Sequence, residues 1–153
     1  MRRSLTAVVT LLMTVASLSP EAAAAGSAPA AGKGACGAKA MDPHKSKGEG
    51  KKQGRKVILA KVSAMCTGTK VPTRLVIDAK LQRKTKGGWK NATKNRSEDF
   101  MPVKSGKKYV LRTHDIDCRK GTFRVTFRVS GKVDGKMRYG NWGAGQLRRN
   151  PCG

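Results

Sequence analysis

The stretch GTFRVTFRVS at residues 121–130 decides the fold class of this chain. Apolar and polar side chains alternate through it without a break. The apolar ones are Phe123, Val125, Phe127 and Val129, and the polar ones are Thr122, Arg124, Thr126 and Arg128. Because successive side chains of a β-strand point to opposite faces, this period of two predicts a half-buried strand with a basic outer face.

The same alternation recurs on both sides of this strand. Residues 57–66 and 73–83 show it, and residues 108–116 show it with an ambiguous inward face. Residues 132–139 can form a further strand entered through Gly131, and residues 89–93 can return from a turn at Gly87 and Gly88 as the hairpin partner of 73–83. The polar segment 91–101 predicts a loop, and no window has a sustained apolar helical period. The pattern predicts an all-β body, a small antiparallel sandwich of five to seven strands.

Residues 1–25 have the three-part pattern of a secretory signal peptide. Arg2 and Arg3 give a basic start, residues 7–18 form an uncharged apolar run, and Ala22 to Ala25 offer small residues for cleavage. The apolar run is too short for a bilayer core of about 30 Å, so we expect no membrane span. The sequence predicts a secreted protein, extracellular or associated with the cell wall.

Residues 26–56 differ in composition from the rest of the chain. They are rich in Gly, Ala and Lys, and Met41 is their one large apolar residue. Such a segment buries too little apolar surface to offset the entropy lost on ordering, so we predict a flexible basic arm. The predicted folded domain covers residues 57–153.

All four cysteines follow the leader, at Cys36, Cys66, Cys118 and Cys152. An even number in an exported chain predicts two disulfides, which would staple the domain. Three pairings are possible, and loop-closure entropy mildly favours Cys36 with Cys66 and Cys118 with Cys152. Without a CxxC pair or histidines at ligand spacing, we predict no metal site and no cofactor.

Three segments of this chain resemble a known group of proteins. They are the run from Leu75 to Lys90, the run from Cys118 to Val125 and the near-terminal Cys152. Together they are similar to small secreted two-disulfide proteins of actinomycete-type bacteria, mostly without assigned function. The resemblance covers about residues 57–153 and implies an immunoglobulin-like sandwich, but no site residues transfer with it.

The charge is the one functional clue in the sequence. Lys and Arg number 33 against 9 Asp and Glu, a formal net charge of +24. Repulsion among this many like charges destabilises the compact folded state, so the charge does not serve stability. It indicates an anionic partner instead. We expect a monomeric binding module for an envelope polymer, an acidic protein or, without sequence specificity, nucleic acid. The predicted basic face consists of Arg74, Lys80, Arg112, Arg124 and Arg128. Aromatic residues are few, so stacking on bases is not supported by the sequence.

We predict no catalytic residues. His44 falls in the predicted arm, and a histidine such as His114 on a strand is usually a surface residue, although Asp115 and Asp117 follow it. A secreted ribonuclease therefore stays open as a weak alternative. A protease inhibitor acting through a basic loop, or a toxin or accessory subunit acting through the arm, stays open as well.

Overall fold

The computed structural model describes residues 34–153. The predicted signal peptide and the start of the predicted arm, residues 26–33, lie outside the described residues. The elements are β1 Gly34–Ala40, β2 His44–Ser46, α1 Lys47–Gln53, β3 Val57–Leu59, β4 Lys61–Gly68, β5 Arg74–Thr85, β6 Gly88–Asn91, β7 Arg96–Phe100, β8 Lys108–Arg112, β9 Ile116–Asp117, β10 Thr122–Val133, β11 Lys136–Tyr139, β12 Gly143–Ala144 and β13 Arg148–Arg149.

The largest sheet is built around the two longest strands, β5 and β10, which pair antiparallel from Arg74 opposite Lys132 to Arg83 opposite Phe123. On one side, β5 pairs with β6 and β7, and on the other, β10 pairs in succession with β13, β12 and β11. The β10–β11 hairpin turns through Asp134 and Gly135, whose φ values of 49° and 77° fit the Asp-Gly type I′ turn.

The second layer consists of two three-stranded sheets. Two chain segments, residues 57–68 and 108–117, run from one of these sheets into the other. The order β1-β4-β8 forms the first and β2-β3-β9 the second. Ala60 separates β3 from β4, and Thr113 follows β8 at the same level. The Thr113 N–H donates to the Ala60 carbonyl at 2.9 Å, and the Ala60 N–H donates to Thr113 Oγ1 at 3.0 Å. These two hydrogen bonds give the buried main-chain groups of Ala60 and the Thr113 N–H their partners at the point where the chain passes from one sheet to the other.

The core lies between these layers and follows the predicted alternation. Every apolar member of the 121–130 stretch is buried, and Phe123 and Val125 are fully so. From β5 the core receives Leu75, Ile77, Ala79 and Leu81, and from the opposite layer Val62, Ala64, Cys66, Tyr109 and Leu111. The prediction of a small, antiparallel all-β sandwich is confirmed; six of the strands described in residues 34–153 have five or more residues.

The structure departs from the predicted flexible arm over residues 34–56. Here β1 pairs with β4 along its whole length, from Gly34 opposite Gly68 to Ala40 opposite Val62. Main-chain hydrogen bonds and one disulfide hold this strand, so it needs no large apolar side chains. Main-chain pairing leaves no mark in the amino-acid composition, so the Gly, Ala and Lys content of this segment does not reveal the strand.

The helix α1 was also missed, because it buries no side chain and has no apolar period. Its start is fixed by Ser46, whose Oγ accepts a hydrogen bond from the Glu49 N–H at 3.3 Å, and its end by Gly54 at φ 64°. Nowhere in residues 34–153 is there a helix long and apolar enough to cross a membrane.

The predicted loop at residues 91–101 is wrong in its second half. Residues Arg96–Phe100 form β7, an edge strand that pairs with Leu75–Ala79 of β5. Four of its five side chains are exposed, so its sequence lacks the apolar alternation that reveals a half-buried strand. Main-chain pairing alone places it.

Both disulfides form with the predicted connectivity. Cys36 pairs with Cys66 across β1 and β4, and Cys118 pairs with Cys152, which ties the C-terminal tail to the start of β10. Within residues 34–153 no cysteine is free. Two such bonds indicate that the protein works in an oxidising environment.

We expect Thr113→Val to lower the free energy of unfolding by about 1–3 kcal/mol, because it leaves the buried Ala60 N–H without an acceptor. The matched control is Thr126→Val, since Thr126 Oγ1 is buried and has no hydrogen-bond partner. That substitution should leave the free energy of unfolding unchanged or raise it. Urea unfolding of both variants measures the difference, and equal effects would contradict this role of Thr113.

Candidate functional site

The outer surface of the β5–β10 pair gathers most of the basic side chains that the sequence singled out. Cross-strand pairs on this surface are Lys80 with Thr126, Gln82 with Arg124 and Asp78 with Arg128. We call the following residues the cationic face: Arg74, Lys80, Lys84, Arg124, Arg128 and Lys132. It therefore contains four of the five predicted binding residues.

Arg112, the fifth predicted residue, lies elsewhere. It is on β8 in the opposite layer, where its Nη1 contacts Glu49 Oε1 of α1 at 3.1 Å. It borders a shallow cavity of about 410 Å³ together with Lys45, Lys52 and Lys61. Sequence alternation correctly placed Arg112 outward but could not tell which sheet carries it.

Trp89 forms one end of an aromatic and cationic arrangement on the cationic face. It lies opposite Lys84 in the β5–β6 hairpin. The Arg124 guanidinium lies 4.3 Å from its ring centroid and Lys84 Nζ lies 5.5 Å from it. Arg124 Nε also donates to Gln82 Oε1 at 2.9 Å. The ring and these two cations, the Trp89 cluster, form a stacked unit held by cation–π attraction.

A second unit, the Trp142 cluster, lies further along β10. Lys80 Nζ is 4.8 Å from the Trp142 ring centroid, and the Arg128 guanidinium is 5.3 Å from Trp142 and 5.6 Å from Tyr139. The two rings remain open to solvent, since Trp142 is 44% exposed and Tyr139 67% exposed. Cations and accessible aromatic rings therefore share one surface.

Asp78 anchors the Trp142 cluster from within the sheet. It is 5% exposed and accepts hydrogen bonds from Arg128 Nε at 3.0 Å, Arg128 Nη2 at 2.9 Å and Asn95 Nδ2 at 3.1 Å. Burial alone would raise the pKa of Asp78. Hydrogen bonds from Arg128, Ser97 and Asn95 and the charge of Arg128 outweigh burial and hold that pKa below its ordinary value.

The basic side chains of the cationic face differ in whether a carboxylate pairs with them. Arg128 pairs with Asp78, and Arg74 pairs with Asp99 on β7. Neither Lys80 nor Lys84 forms a salt bridge within residues 34–153. The two lysines therefore supply charge that no described carboxylate neutralises, while the paired arginines are held in fixed positions.

The histidines lie apart from the cationic face. His44 is ordered on β2, where its Nδ1 lies 2.8 Å from the Asp42 carbonyl oxygen, while His114 is exposed between β8 and β9. The carboxylates that follow His114 are bound by other groups, Asp115 by Gln53 and Arg55, and Asp117 by Arg55. The described part of the chain holds no group of three His, Cys, Asp or Glu residues suited to a metal ion.

Three aromatic residues of this surface were missed by sequence reasoning. Trp89 lies at the start of a short predicted strand, and Tyr139 and Trp142 lie beyond the last clear alternation, so the sequence assigns none of the three to a face. For Tyr139, the available signal is the Asp134-Gly135 turn, which returns the chain along β10 and sets Tyr139 opposite Ser130.

We expect Asp78→Asn to lower the free energy of unfolding at pH 7 by about 2 kcal/mol, since it weakens charged hydrogen bonds to Arg128. A carboxylate with a lowered pKa stabilises the folded state above its unfolded pKa of about 3.9 and loses this effect as the pH falls further. The difference from the wild type should therefore hold from pH 7 to about pH 4 and shrink below it.

Denaturant unfolding from pH 7 to pH 2 measures this difference. The exposed turn residue Asp134 provides the control, since Asp134→Asn should change the stability by less than about 0.5 kcal/mol throughout. A loss in Asp78→Asn that is the same at pH 2 and pH 7 would contradict the role of the Asp78 carboxylate.

Comparisons with protein-family models, with curated proteins and with solved structures returned no match to this chain. The resemblance to small secreted two-disulfide proteins stays a prediction.

Proposed function

We propose that this protein is an exported, non-catalytic module that binds anionic polymers through the cationic face. The observation that carries the proposal is the gathering of basic side chains on one sheet surface, where Lys80 and Lys84 form no salt bridge within residues 34–153. Phosphate or carboxylate groups would contact these cations, with the arginines offering directed N–H donors.

The overall charge supports this function. A formal charge of +24 repels itself in the folded state and is therefore costly unless a partner neutralises it. It would also attract a polyanion from a distance and speed the encounter. The cationic face would then provide the short-range contacts, because its charges lie at fixed positions on a rigid sheet.

The leader and the disulfides support a place of action outside the cytoplasm. Residues 1–25 carry the signal-peptide pattern, and both disulfides require oxidising conditions to persist. Anionic polymers of the cell envelope and extracellular nucleic acid are the partners available there. The predicted immunoglobulin-like character belongs to this proposal and adds no site, because such sandwiches carry many unrelated functions.

The test is binding of the oxidised protein, without its leader, to inorganic polyphosphate across a salt series. Binding should weaken as salt rises, because counterions are released when cations contact phosphates. The double variant Lys80→Gln/Lys84→Gln should bind more weakly, and its salt slope should fall by about one for each phosphate that it no longer neutralises.

The matched control removes the same charge from the opposite layer. Lys39 and Lys108 are exposed on the outer surface of the β1-β4-β8 sheet, so Lys39→Gln/Lys108→Gln should retain nearly the wild-type affinity and slope. If both double variants lose affinity equally, binding depends on the net charge of the protein and not on the position of the cationic face. If the wild type does not bind polyphosphate at moderate salt, the proposed function is wrong.

A further inference from the structure

We infer that the anionic polymer is single-stranded nucleic acid, whose phosphates contact the cationic face and whose bases stack on its exposed rings and guanidinium groups. This inference rests on the proposed function and narrows it to one polymer class. The observation behind it is the set of aromatic rings beside the cations, because a polyanion without bases would be bound by the cations alone.

Three of the seven aromatic residues of the chain lie on this surface. Both tryptophans of the chain belong to it, Trp89 and Trp142, and Tyr139 lies beside the second. Tyr139 and Trp142 are also the large aromatic side chains left exposed in residues 34–153. Exposed rings cost free energy in water, whereas every nucleobase has a π-face that stacks on them.

The cations are arranged so that charge and stacking act together. Arg124 lies 4.3 Å from the centroid of Trp89, and Arg128 lies within 6 Å of both Trp142 and Tyr139. Guanidinium planes are themselves stacking platforms for unpaired bases. Lys80 and Lys84 have no salt bridge within the described residues. Their Nζ atoms lie over the same rings, 4.8 Å from the centroid of Trp142 and 5.5 Å from that of Trp89, and suit phosphates.

The spacing of the two clusters fits a short length of strand. Arg124 and Arg128 are four residues apart on β10, which is about 13 Å at the rise of a β-strand. A single strand of a few nucleotides can therefore contact both clusters. The broad outer surface of a sheet does not enter a groove face-on, so bases paired inside a duplex stay out of reach of these rings.

The test compares binding of the oxidised protein to three probes at one salt concentration: a labelled oligothymidylate of about 20 nucleotides, the same length of duplex DNA, and inorganic polyphosphate. The single strand should bind most tightly and should quench the tryptophan fluorescence, since both indoles lie in the site. Intact probe after each titration establishes that binding, and not cleavage, is measured.

The decisive variant is Tyr139→Ala/Trp142→Ala, which removes two exposed rings and no charge. Its affinity for the single strand should fall about ten-fold or more, since alanine substitution of a ring that stacks on a base typically costs this much. Its salt slope and its affinity for polyphosphate should stay within about two-fold of wild type. The conservative Tyr139→Phe/Trp142→Phe should recover most of the loss.

The matched control is Met65→Ala/Val110→Ala, which removes two apolar side chains of the opposite sheet that are 45% and 42% exposed. It should leave binding of the single strand unchanged. Equal affinity for the single strand and polyphosphate, no effect of the Tyr139 and Trp142 substitutions, or preference for the duplex would overturn this inference and leave the proposed function standing. If none of the probes binds, both fail.

Discussion

The structure depends on the ladder between β5 and β10, which runs without interruption from Arg74 and Lys132 to Arg83 and Phe123. One side of this ladder buries Ile77, Leu81, Phe123 and Val125 against the opposite layer, and thereby supplies the core. The same period of two obliges the other side to point to solvent, where basic residues alternate along both strands. The pairing of β5 with β10 therefore provides both the core that stabilises the fold and the surface proposed to bind.

The ladder also fixes how charges on the outer surface are arranged. Asp78 lies opposite Arg128 and is held almost out of solvent, so the pair sits within the sheet as an anchor for the Trp142 cluster. Lys80 lies one step further along on the same face, with no salt bridge in the described structure. Rigid positions for some cations and uncompensated charge on others suit a polymer whose charges repeat.

Sequence reasoning recovered the parts of this molecule that alternate. The strands at 121–130 and 73–83 and the outward placement of four of the five basic residues follow from a period of two. The two disulfides follow from the cysteine count. It missed β1, β7 and α1, because main-chain pairing and caps specify them without apolar burial. The Ser46, Glu49 and Gly54 pattern was the available signal for the helix. The aromatic residues were missed because their approach depends on tertiary pairing across β10 and β6, which local pattern does not encode.

The central claim is that the cationic face is where the polymer binds, and amide chemical shifts of the isotope-labelled, oxidised protein test it most directly. Titration with a single-stranded oligonucleotide should shift the indole N–H signals of Trp89 and Trp142 and the amide signals along β5 and β10. The signals of the outer residues of β1, β4 and β8 should stay in place. Shifts confined to that opposite sheet, or to the cavity beside Arg112, would contradict the account.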